Sequence, residues 1–209
     1  MGLDEFLQNT LVNMTEYRDN ARLFGLTDDF RFIDFCLNNL HFSRAQLLQD
    51  LFVLYRSGCR PGGFFVEFGA TNGVDLSNTY QLEKCFQWSG ILAEPATCWR
   101  EALIRTRSCA VDTRCVWDRT GAYLEFNEVN LPEYSTINTF SAGDGPADNR
   151  QAGDLYQVET ISLNDLLAAY AAPRVIDYLS IDTEGSELSI LTAFDFDRYD
   201  VRTLTVEHN

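Results

Sequence analysis

The sequence predicts an α/β fold: a mostly parallel sheet with helices on both faces, preceded by an N-terminal helical extension. Three observations lead there. Short apolar runs bounded by glycine alternate with helical patterns from residue 64 onward, the signature of a parallel sheet covered on both sides. Residues 1–60 instead carry apolar residues at helical spacing. The polar residues that could do chemistry stand just after the apolar runs, where open parallel sheets bind ligands.

The elements follow in order. Leu3, Phe6, Leu7, Leu11 and Met14 predict one helix, and Phe30, Ile33, Phe35, Leu37 and Leu40 a second. Ser43-Arg44-Ala45-Gln46 reads as a capping box for a helix from Ala45 to Tyr55. Gly58, Pro61, Gly62 and Gly63 end it. Residues 61–209 then form the core. Phe64–Phe68 is a buried strand, Leu76–Phe86 a helix, and Gly90–Glu94 a second strand. A helix over Thr97–Arg107 follows. Cys109–Val116 and Ala122–Phe126 are strands separated by a turn at Thr120-Gly121. Residues 131–157, with Pro132, Gly143, Gly145, Pro146 and Gly153, read as loop. A helix opens at Ser162, Val175–Ile181 is a strand, Ser186–Ala193 a helix, and Thr203–Val206 a strand.

Composition limits the function. The chain has 209 residues with 31 acidic and 16 basic side chains, a net charge of −15. It carries no basic cluster, so it is not expected to bind nucleic acid. Lys84, the only lysine, has no glycine before it, which excludes a P-loop. No run of 18 apolar residues predicts a membrane span. The acidic start, Met1-Gly2-Leu3-Asp4-Glu5, is not a secretory leader. Six cysteines without a C-x-x-C pair, and only two histidines, argue against structural zinc. They read as reduced, mostly buried thiols of a cytoplasmic protein.

The first strand ends in Glu67-Phe68-Gly69-Ala70-Thr71-Asn72-Gly73. Gly69 and Gly73 permit a tight turn and close approach of backbone to a ligand. Ser77, Asn78 and Thr79 supply polar groups at the next helix. Glu94 closes the second strand, 21 residues beyond Gly73, where an acid accepts hydrogen bonds from both hydroxyls of an adenosine ribose. These features suit a dinucleotide or S-adenosylmethionine (SAM). The spacing is G-x-x-x-G, not the G-x-G-x-x-G that wraps a pyrophosphate, and Glu67 is a poor neighbour for phosphate. The same carboxylate suits an ammonium or sulfonium. The residues therefore favour SAM and leave NAD open.

Gly63–Gly73, Ser77-Asn78-Thr79, Leu82-Glu83 and Trp88–Pro95 together resemble the FkbM family of SAM-dependent methyltransferases. So do Glu159–Leu167, Ile176–Glu187 with Leu191, and Val206-Glu207-His208-Asn209. The resemblance spans roughly 43–209. It implies a Rossmann-like class I methyltransferase fold and methyl transfer from SAM to a hydroxyl of a sugar or sugar-containing natural product. It implies that Glu67, Gly69, Ala70, Asn72 and Gly73 hold the methionine end, flanked by Ser77, Asn78 and Thr79. Glu94 would take the ribose, Pro95 shape the turn, and Cys115 and Val116 lie near the adenine. Asp182 would face the reacting methyl, with Glu184 beside it. That fold normally continues past the Glu207 strand, so C-terminal strands are expected to be missing from this chain.

A sugar hydroxyl is a poor nucleophile and calls for a base. Asp182, Glu184 and His208 are the catalytic candidates. Alternatively Asp182, Glu207 and Asn209 could gather Mg²⁺ to acidify the hydroxyl. Asp182 and Glu184 also sit where acids cap a helix. The partner expected is a small molecule or carbohydrate; the oligomeric state is not legible. A nucleotide-dependent oxidoreductase and a non-catalytic Rossmann-like binding module are the other readings.

Overall fold

In the computed structural model, residues 3–141, 150 and 153–207 are described. The chain opens with α1 (Leu3–Leu23), α2 (Thr27–Asn39), a 3₁₀ turn (Leu40–Phe42) and α3 (Gln49–Arg56). Met14, Phe32, Phe35 and Cys36 pack against Leu51, Val53 and Leu54. The helix expected from Ala45 starts only at Gln49. Asp50, wholly buried, accepts the Ser43 hydroxyl (2.7 Å) and the Arg44 N–H (2.8 Å). Ser43 is thus a donor to Asp50 rather than a cap, and Leu48 at φ +63° breaks helical geometry ahead of Gln49.

The remaining elements are β1 (Phe64–Phe68), α4 (Tyr80–Phe86), β2 (Ser89–Ala93), a 3₁₀ turn (Thr97–Trp99), α5 (Arg100–Thr106) and β3 (Ala110–Asp112). Then come β4 (Cys115–Trp117), β5 (Tyr123–Glu128), β6 (Thr136–Ile137), β7 (Asp154–Ser162) and α6 (Leu163–Ala169). The chain continues with β8 (Val175–Ile176), β9 (Tyr178–Ile181), α7 (Glu187–Ala193), β10 (Asp200–Val201) and β11 (Leu204–Val206). A five-stranded sheet runs in the order β11-β9-β1-β2-β3, and every pairing in it is parallel.

Side-chain alternation along these strands builds two cores. Val66, Phe68, Ile91, Ala93, Leu179 and Ile181 join Leu163, Leu166 and Leu167 of α6 and Ile190 of α7. Phe65, Leu92 and Tyr178 join Leu51 and Leu54 of α3, Leu82 of α4 and Leu103 of α5. Helices therefore cover both faces, as expected. Burying each of the Val, Leu, Ile and Phe side chains among them contributes roughly 1.5–3 kcal/mol.

Four expectations need correction. The strand read over Cys109–Val116 is two strands in two sheets, β3 and β4. The strand over Val175–Ile181 is interrupted at Asp177, whose carboxylate accepts Phe64 N–H (3.0 Å) and bonds Arg60 (2.6 Å) and Arg202 (2.9 Å). β8 then pairs with β10 in a ribbon of its own. The helix expected from Leu76 begins at Tyr80, because Leu76 is left-handed (φ +61°) and Ser77–Thr79 fold round Glu67. The loop expected over 131–157 contains β6, two 3₁₀ turns (Pro132–Tyr134, Asn138–Phe140) and the start of β7. β7 joins a second sheet of order β4-β7-β5-β6, parallel only between β4 and β7. Its first residues are largely exposed, so the apolar signal begins only near Val158. Where β7 ends, Ser162 does cap α6, accepting the Asp165 N–H at 3.1 Å.

All six cysteines are free thiols. Cys36 and Cys115 are buried, Cys59 and Cys109 partly so, and Cys85 and Cys98 are exposed, against the expectation of mostly buried thiols. Among the described residues no helix is long and apolar enough to cross a membrane.

Candidate functional site

From β1 the chain builds outward through β2 and β3, then returns to the other side of β1 for β9 and β11. The direction of winding reverses between β1 and β9, and such a reversal leaves a crevice at the carboxyl ends of the strands. A cavity of about 180 Å³ lies there. Glu67 and Gly69 line it from β1, Glu94 and Pro95 from β2, and Cys115 and Val116 from β4. Asp182 and Glu184 line it after β9, and Glu207 after β11. Phe126 of β5, Ile137 of β6 and the Pro132–Ser135 segment between those strands add to the wall.

The turn after β1 is densely hydrogen-bonded. Gly69 takes φ +71°, and a Cβ there would lie 1.8 Å from the Asp182 carbonyl oxygen. Its bare Cα thus lets the ends of β1 and β9 meet. Gly73 (φ +78°) makes room for the Arg107 side chain, 2.8 Å from where a Cβ would stand. Asn72 Oδ1 accepts the N–H groups of Val74 and Asp75, both at 2.9 Å. Ala70 is buried in the apolar core. Glu67 is 2% exposed. It accepts Asn78 N–H (2.7 Å), Ser77 Oγ (3.1 Å) and Thr79 Oγ1 (2.5 Å). Burial pushes its carboxyl above the usual range, opposed by the Arg107 charge and these donors.

At the end of β2, Glu94 is 8% exposed and accepts Thr71 N–H and Ala96 N–H, each at 2.9 Å. Burial pushes its carboxyl up to about 7; the two N–H donors resist, while the charges of Glu128 and Glu67 add to the rise. Burial and the Glu94 charge push the Cys115 thiol up to about 12, so it stays protonated as an apolar wall element.

The turn after β9 gathers acids. Carboxylate oxygens of Asp182, Glu184 and Glu207 lie within 4.8 Å of one another. Burial and then the hydrogen-bonded Glu207 carboxyl push Asp182 up to about 9, with Glu184 and Glu187 adding to it. Among the described residues, Glu207 Oε2 is buried with no hydrogen-bond partner. Glu184 pairs with the fully buried Arg150 side chain at 2.5 Å. The acid that organises this turn is Glu187, which accepts Thr183 N–H (2.9 Å) and Gly185 N–H (3.1 Å). Asp182, Glu184 and Glu207 offer the hard oxygen donors that a divalent cation takes.

Of the residues singled out in the sequence, Glu67, Gly69, Asn78, Glu94, Pro95, Cys115, Val116, Asp182 and Glu184 line one cavity. Ala70, Asn72, Gly73, Ser77 and Thr79 stand behind that wall and hold its turn. His208 and Asn209 lie outside the described residues. Sequence reasoning missed Arg107, Arg150, Glu187 and the wall from Phe126 and 132–137. Glu187 sits within the Asp182–Glu187 motif and could have been found there; the two arginines belong to no local pattern.

The family model described as Methyltransferase FkbM domain matches residues 67–209. No curated protein and no solved structure matches the chain.

Proposed function

Since the chain belongs to the FkbM methyltransferase family, we propose that its crevice binds SAM and directs the methyl group to a hydroxyl of a sugar or sugar-bearing small molecule. The five-stranded order then reads as Rossmann-like, with residues 61–209 as the catalytic core and 1–60 as a helical extension, in a cytoplasmic protein.

The observation that carries the reading is Glu94. It stands at the carboxyl end of β2 on the crevice wall with two acceptor positions already filled by backbone N–H groups. A carboxylate has about four lone-pair sites, so about two remain for a ribose diol. The donor set fits the rest of the ligand. The apolar walls of Cys115 and Val116 suit a base. Glu67 and the unpartnered Oδ1 of Asn78, a residue 6% exposed, suit cationic and N–H groups.

When bound, SAM supplies a methyl carbon activated by its sulfonium. The chain's residues then hold the reactants in line, which can contribute on the order of 7–11 kcal/mol. Asp182, Glu184 and Glu207 line the end of the crevice where the hydroxyl proton must go, with burial favouring the protonated form of Asp182; His208 is the remaining candidate base. Mg²⁺ held by Asp182, Glu184 and Glu207 would instead acidify the hydroxyl.

Titration calorimetry with SAM and with its demethylated product tests the reading. Binding is expected to the native chain, and its loss in Glu94→Ala. A thermal melt with ligand at 100 Kd should gain about 2.7 kcal/mol. No heat and no stabilisation would leave a non-catalytic module, and binding of NAD in place of SAM an oxidoreductase.

A further inference from the structure

Arg107 does not line the crevice, and nothing in the proposed reaction uses it. It follows α5 directly, and its side chain is wholly buried. Nε donates to Glu83 (2.6 Å), and Nη1 to the Gly73 carbonyl (3.1 Å) and Ser77 Oγ (3.2 Å). Nη2 donates to Thr79 Oγ1 (2.8 Å), and Nη1 lies 3.8 Å from Glu67 Oε2. The rings of Phe65 and Tyr80 lie 5.5 and 5.9 Å from the guanidinium carbon. Every polar contact thus ends between Glu67 and Glu83, on β1, the turn after it and the helix that turn opens.

The pattern of donors matters more than their number. Ser77 Oγ and Thr79 Oγ1 each receive an N–H from Arg107 and each donate to Glu67. With those lone pairs occupied, both hydroxyl protons are directed at the Glu67 carboxylate. Arg107 therefore supports the Glu67 charge twice, by its own field and through two oriented hydroxyls, against burial that favours the protonated acid. Burying an arginine carries a desolvation penalty that an apolar side chain would avoid. Its five-donor fork is the property a lysine lacks.

We propose that Arg107 is a positioning residue for the cationic, methionine half of SAM, acting through Glu67, Ser77 and Thr79. This rests on SAM being the ligand of the crevice. The adenosine half depends on a different anchor, Glu94, held by the Thr71 and Ala96 N–H groups.

The test compares calorimetric affinity for SAM and for adenosine in the native chain, Arg107→Lys, Glu67→Gln and the double variant. Arg107→Lys is expected to weaken SAM about tenfold and adenosine less than about twofold. The double variant should bind SAM no more weakly than Glu67→Gln alone, the non-additivity of residues on one path. Equal weakening of both ligands, or an unchanged SAM affinity, overturns the proposal. Should Arg107→Lys fail to fold, Glu83→Gln frees the other end of the guanidinium, and the same split in smaller measure is expected from it; equal effects on both ligands would again count against the role. A native chain that binds neither ligand refutes the SAM reading itself, which separates the two failures.

Discussion

Around Glu67, the turn after β1 brings a backbone N–H, two hydroxyls and, behind them, an arginine to one carboxylate. Around Asp182, across the same crevice, the turn after β9 brings other carboxylates. Both acids are removed from water and both are pushed toward their neutral forms by burial. The difference lies in what converges on them. Donors gathered on Glu67 make it the framework of its turn. Carboxylates gathered on Asp182 leave negative charge to be met by a proton, a cation or a substrate. The turn after β1 thus supplies donors to its acid, whereas the turn after β9 sets Asp182 against other acids, one of which, Glu184, pairs with Arg150.

The sharpest way to break this contrast is Gly69→Ala, which strikes where the two turns touch. A Cβ 1.8 Å from the Asp182 carbonyl, at φ +71°, cannot be accommodated without moving one strand end. Chemical denaturation should register a loss of about 3 kcal/mol or more. Native-like stability would mean that the two turns are not in contact.

Next in size is the pH dependence of donor binding. Burial pushes the Glu94 carboxyl up to about 7, and its protonated form cannot accept two hydroxyls. Affinity should fall as pH drops below 7, by up to about tenfold per unit. Calorimetry at pH 5.5, 6.5 and 7.5 reads this, and a flat profile would remove Glu94 from the ribose.

Asp182→Asn tests the crowded side. Asp182 and Glu94 bind protons in the folded state more tightly than in the unfolded one. Their contribution to stability is fully present below pH 4 and lost as pH rises, through about 7 for Glu94 and about 9 for Asp182. The native chain should therefore melt at lower temperature at pH 8.5 than at pH 6. Asp182→Asn should flatten the limb above pH 7 and gain on the order of 1 kcal/mol at pH 8. The smallest effect is expected in the turn after β1. Asn72→Ala forfeits two short hydrogen bonds to Val74 and Asp75 for about 1 kcal/mol, measured by the same denaturation.

The two sides also differed in how legibly the sequence announced them. β1 and the end of β2 were read from unbroken apolar runs flanked by glycine, and Glu67 and Glu94 with them, because strand ends are set by local pattern. Asp182 followed from the same rule. Leu76–Thr79 misled because Glu67, ten residues upstream, competes for the donors a helix start would use. Asp50 likewise drew Ser43 away from the cap expected of it. Arg107 and Arg150 were illegible because their partners lie far along the chain, and a buried arginine looks the same in sequence as an exposed one. β7 was hidden by its half-exposed first residues and by the glycines and prolines ahead of it.

No strand of the four-stranded sheet pairs with a strand of the five-stranded one among the described residues. Its β5, β6 and the turns beside them form the outer wall of the crevice, while Glu67 and Glu94 stand on the parallel ladder. Residues 123–140 therefore shape what the mouth admits while staying tied to the grip beneath: Glu128 accepts the Thr97 N–H and its charge raises the Glu94 carboxyl, and Thr136 donates to the Glu184 carbonyl. A laboratory that grafts that stretch would change the choice of substrate and the proton affinity of Glu94 together.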